Sequence, residues 1–67
     1  MKRDQLIRAI RKLARKRGVH FKLDTAKGKG SHYRVEFGAN WTTVQHDLTE
    51  GRIQRILRQL DIDPADI

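Results

Sequence analysis

The residue in this chain best suited to moving a proton is His32, in the stretch GKGSHYRVEFG that runs from Gly28 to Gly38. It follows a basic, glycine-rich turn and opens what reads as a β-strand. Free imidazole titrates near pH 6.5, so it can accept or donate a proton at cellular pH. Lys27, Lys29 and the backbone N–H groups of Gly30 and Ser31 are the kind of groups that hold an anion, and the glycines allow close approach of the backbone. Two uses of His32 are open at this point: an ordinary polar residue on the wet face of a small sheet, or a proton-transfer group beside an anion grip.

A chain of 67 residues has room for one domain, residues 1–67, with one thin core. It has no cysteine, so a disulfide framework and a thiolate zinc site are both excluded. The three histidines form no compact ligand motif with the carboxylates, and no metal or other cofactor is expected. No apolar run resembles a signal peptide or approaches the roughly 20 residues that span a bilayer, so a cytoplasmic protein without a membrane partner is expected.

Charge is segregated along the chain. Residues 1–34 hold twelve Lys and Arg against Asp4 and Asp24, whereas residues 35–67 hold three Arg against six acids, which makes the halves +10 and −3 of the total +7. Solubility requires net charge but not its separation; a basic half is the footprint of a protein that meets phosphates, and nucleic acid is the partner it suggests.

The elements that must position these groups follow from the periodicity. Between Asp4 and Arg17, Leu6, Ile7, Ile10, Leu13 and Ala14 recur with the spacing of one buried helical stripe, and Gly18 supplies a stop. Arg8, Arg11, Lys12 and Arg15 form a basic row on another face of that helix. The period then changes to two. Val19, Phe21 and Leu23 alternate with polar residues, as do Tyr33, Val35 and Phe37, with the loop Thr25 to Gly30 between them. A tight turn at Gly38 to Asn40 leads into a third strand, Trp41 to His46. Thr49 caps a second helix whose stripe is Ile53, Ile56, Leu57 and Leu60, with Leu48 and Ile53 placed as a hydrophobic staple; Asp47 with Glu50 offers an alternative cap. Pro64 either starts one more turn or ends the fold.

The expected fold is therefore α+β, in the order α-β-β-β-α, with a three-stranded antiparallel sheet and both helices on one of its faces. The other face stays open. Alternation puts His32, Arg34 and Glu36 there, with His20 and Lys22 beside them and Trp41 and Thr43 from the third strand. Trp41 is then available to stack an unpaired base. His46 shares parity with Val44 and reads as a structural residue that leans toward the helices or caps the last strand.

The stretches GKGSHYRVEF, TTVQHD and GRIQRILRQLDI, in this order, resemble the HicA toxin family, the RNA-cleaving halves of HicA/HicB toxin–antitoxin modules. The likeness covers nearly the whole chain. The segment from Gly18 to Gly30 is a few residues longer than the usual family spacing, and Gln45 stands where a proline commonly precedes the later histidine. The resemblance implies a double-stranded-RNA-binding-like fold, endoribonuclease activity on mRNA, which the residues lead us to expect to be metal-independent, and a HicB-type antitoxin as protein partner. It also implies that His32, after Gly-Ser, is the catalytic residue. Lys27, Lys29, Gly30, Ser31, Arg34 and Trp41 are the candidates for holding RNA. The competing reading is a non-catalytic double-stranded-RNA-binding module of the same topology. Such modules present lysines at the start of the second helix, where this chain has TEGRIQR.

Overall fold

A computed structural model describes residues 1–25 and 32–67. The order of elements is the expected one: helix α1 (Arg3–Arg17), strands β1 (Phe21–Asp24), β2 (Tyr33–Phe37) and β3 (Asn40–Val44), and helix α2 (Glu50–Gln59), followed by one 3-10 turn at Pro64–Asp66. The sheet is antiparallel, in the spatial order β1-β2-β3. α1 packs on β1 and β2, and α2 packs on β3. The opposite face of the sheet is left open, as the alternation requires.

Each helix forms where its stripe can be buried and stops where its backbone is turned. In α1, Leu6, Ile7, Ile10, Leu13 and Ala14 are buried, and the Gln5 side chain accepts a hydrogen bond from the Lys2 N–H at 2.9 Å. Gly18 ends it with φ +65, a left-handed conformation that costs glycine little. The paired bonds from Val19 N–H to the Ala14 carbonyl (3.0 Å) and Gly18 N–H to the Arg15 carbonyl (3.3 Å) are those of a Schellman stop. In α2, the Thr49 hydroxyl accepts from Arg52 N–H at 3.3 Å, so Thr49 and not Asp47 is the cap. Asp61, with φ 58, plays at the end of α2 the part that Gly18 plays in α1. The bonds from Ile62 N–H to Leu57 (2.8 Å) and Asp61 N–H to Arg58 (3.1 Å) repeat the same stop.

The core lies between the helices and the covered face of the sheet. Leu6, Ile10, Val35, Val44 and Leu60 are wholly enclosed. Ile62, past the end of α2, is buried too, and Ile67 packs against the same cluster. The tail is held there by an ion pair of 2.5 Å between Arg17 and Asp66, and by Asp63, whose carboxylate accepts from Ala65 N–H at 2.9 Å. Pro64 thus begins a turn that closes the molecule.

Two strand boundaries differ from the expectation. β1 starts at Phe21, and of the three residues expected to point inward only Phe21 is half-buried; Val19 and Leu23 are 38% and 39% exposed. β1 is an edge strand, and the helices do not reach over its full width. β3 ends at Val44, two residues early, because β2 begins at Tyr33, its partner, and offers no ladder beyond it. The β2–β3 connection is the two-residue loop Gly38–Ala39, with φ +60 at Gly38, the glycine position of a type II′ hairpin turn. Among the described residues no helix is long and apolar enough to cross a membrane.

Candidate functional site

The register lays the open face out in rows. Lys22, Glu36 and Trp41 stand side by side across the three strands, and Asp24, Arg34 and Thr43 form the next row. His32 lies immediately before β2, two residues ahead of Arg34. A strand rises about 3.3 Å per residue, so His32 is roughly 7 Å along the strand from Arg34 and about 13 Å from Glu36. His32 is exposed, as expected, and makes no hydrogen bond or ion pair with another described residue. Its ring can therefore meet a ligand without first breaking such a contact. Lys27, Lys29, Gly30 and Ser31, the expected anion grip, lie outside the described residues.

Across this face a chain of contacts runs from His20, just before β1, through β2 to β3. His20 Nε2 lies 3.0 Å from Glu36 Oε1. Glu36 Oε2 lies 3.7 Å from Arg34 Nε, and that nitrogen is shut away from solvent without a hydrogen bond. The Arg34 guanidinium carbon in turn sits over the Trp41 ring, 4.2 Å from its centroid. The hydrogen bond from His20 holds the Glu36 carboxyl below the ordinary carboxylate range, with the charges of Lys22 and Arg34 adding to the effect. Arg34 and Trp41 were expected on this face, and the structure brings them into contact. The His20–Glu36 bond is diagonal across two strands, and only the register reveals it. The loop between β1 and β2 is too long for turn chemistry to set that register from sequence.

His46 does not lean into the core beneath the helices, one of the two places expected of it. It is exposed, beyond the end of β3, and lines a surface hollow of about 310 Å³ together with Arg3, Asp47 and Leu48. The parity argument fails because the strand stops at Val44, after which alternation no longer applies. Arg3, from the start of α1, lies over the Tyr33 ring at 3.7 Å and closes the covered side of β2 at the His32 end.

The basic row of α1 is elsewhere. Arg8, Arg11, Lys12 and Arg15 are all exposed on a helix that packs against the other face of the sheet. No three His, Asp or Glu side chains among the described residues converge closely enough to hold a metal ion. Comparison with family models, with curated proteins and with solved structures gave no match.

Proposed function

We propose that this chain is the toxin of a toxin–antitoxin module, a cytoplasmic endoribonuclease that cleaves mRNA without a metal, with His32 as its general acid/base. The observation that carries the reading is His32 itself: exposed, immediately before the central strand, and directly after the basic, glycine-rich stretch Lys27 to Gly30. The order and content of the motifs that resemble the HicA family support it, as does the α-β-β-β-α order around them.

The chemistry asks for little beyond such a group. His32 takes the proton from a ribose 2′-hydroxyl, and the 2′-oxygen attacks the adjacent phosphorus. The bond from phosphorus to the 5′-oxygen breaks, and that oxygen receives a proton, leaving a 2′,3′-cyclic phosphate and a 5′-hydroxyl. General acid–base help of this kind contributes about 10²–10⁴-fold. Charge on the phosphorane must be met by cations and backbone N–H groups, the role proposed for Lys27, Lys29, Gly30 and Ser31.

The resemblance to the HicA family points to another protein as the source of its control. We assign that role to a HicB-type antitoxin. An acidic inhibitor surface would be steered onto the +10 half of the chain, with orientation and association rate set by charge complementarity.

The decisive experiment is incubation of the purified chain with a defined RNA in EDTA. Cleavage that leaves 2′,3′-cyclic phosphate ends supports the nuclease. Retention of intact RNA refutes it in favour of the binding-only module of the same topology.

A further inference from the structure

We propose that the open face of the sheet is a track for an unpaired RNA strand, on which Trp41 and Arg34 take one base by stacking while His32 acts on a phosphodiester a few nucleotides away. The inference rests on the nuclease reading for the role of His32 and adds to it the class of substrate: single-stranded rather than duplex RNA.

Trp41 is the starting point. It is 54% exposed, and the other large apolar residues left this open, Met1, Val19 and Leu23, belong to the chain end or to the covered side of the edge strand. Among the described residues Trp41 is thus the one large apolar side chain presented on the open face. Its surroundings are cationic. Arg34 lies over its ring at 4.2 Å, and Lys22 stands in its row beyond Glu36. An aromatic ring set among cations on a sheet is the arrangement that binds single strands, because every base has a face to stack and every nucleotide a phosphate to neutralise.

Glu36 and His20 are positioning residues in this scheme. A carboxylate on a phosphate-binding face is repulsive unless it has another task. Here its Oε2 lies 3.7 Å from Arg34 Nε, and its Oε1 is held by the His20 ring nitrogen at 3.0 Å. The guanidinium is thereby kept over the ring instead of sampling the several rotamers of a free arginine.

Duplex RNA cannot use this surface in the same way. Its bases are already paired and stacked, and what it presents to a protein is the shape of the shallow groove with its 2′-hydroxyls and phosphates. An unpaired strand can lie along β2 and β3 with a base at Trp41, about 13 Å from the row of His32 by strand geometry. In a stacked strand that distance corresponds to a few nucleotides.

The chain has one tryptophan, so its fluorescence reports on Trp41 directly. The experiment uses the full chain carrying His32→Ala, to prevent turnover, with a short RNA of mixed sequence either single-stranded or annealed to its complement, and binding is followed separately by anisotropy of a labelled strand. The single strand should quench the fluorescence and the duplex should not. Adding Trp41→Ala should weaken single-strand binding roughly 5- to 150-fold with an unchanged circular dichroism spectrum, and Trp41→Phe should restore part of it. His20→Gln, which keeps a hydrogen-bonding side chain, should cost less than His20→Ala. Equal quenching by duplex, or full affinity in the Trp41→Ala chain, overturns the track and assigns Trp41 to a protein contact instead. The two readings fail separately: a chain that quenches on single strands but never cleaves RNA in EDTA loses the nuclease and keeps the track.

Discussion

On β2 the side chains of Tyr33, Val35 and Phe37 go under the helices, while Arg34 and Glu36, interleaved with them, face the other way. The same contrast runs along β3, where Thr42 and Val44 are buried and Trp41 and Thr43 are exposed. The buried residues of the covered face are apolar save for Thr42, whose hydroxyl is bonded to Gln59 of α2. The open face carries both signs of charge, linked in sequence from His20 through Glu36 and Arg34 to Trp41. One face thus holds the fold and the other is free to hold a ligand. A thin domain can afford this division because a strand offers two independent surfaces at no extra chain length.

If that division is right, substitutions on the two faces must fail in different assays. The largest effect is expected from His32→Ala, which should lower the turnover of RNA cleavage by about 10²–10⁴-fold. The melting temperature should stay where it was, since His32 contributes nothing to the core. A variant that melts early, or one that cleaves normally, breaks the comparison from the open side.

Val35→Ala, one residue along from Arg34, is the converse. Val35 is wholly enclosed, and removing its methyl groups should cost about 2 kcal/mol of stability, read as a lower urea midpoint. Cleavage per folded molecule should be unchanged. Loss of activity in excess of the unfolded fraction would show that the two faces are mechanically coupled through β2.

The smallest effect concerns the link between His20 and Glu36. Because the folded-state value of Glu36 is depressed, its pairing stabilises the native state above the ordinary carboxylate range, and that stabilisation is lost as pH falls through the depressed value. Following the Glu36 carboxyl by NMR, the titration of the His20→Ala chain should move up toward the ordinary range. The stability difference between the two chains should vanish in acid, where both carboxyls are protonated. An unmoved titration would mean that Lys22 and Arg34, not His20, hold Glu36.

Much of this architecture is legible in the chain itself. Ile53, Ile56, Leu57 and Leu60 announce α2, and Thr49 its cap, because capping and helical period act within a few residues of sequence. Where reading by parity broke down, it did so at the limits of pairing. Val19 and Leu23 alternate as inward residues do, but lie on an edge the helices do not cover, and His46 lies past the last rung of the ladder. Ile62 is buried because the stop at Asp61 turns the tail back over the core, and its isolated position after α2 gives no periodic signal.

The sequence by itself determined the order of the elements, the helical stripes and the side of the sheet on which Arg34 and Trp41 stand, because those depend on local geometry of period 3.6 or 2. Only the tertiary structure decided which of the open-face groups meet. The contact of Arg34 with Trp41 and the bond of His20 to Glu36 are diagonal pairs between strands, set by the register of chain segments up to sixteen residues apart. Register is fixed jointly by the buried side chains on the other face and by the turns that join the strands. A one-residue slip would exchange the two faces and abolish both contacts.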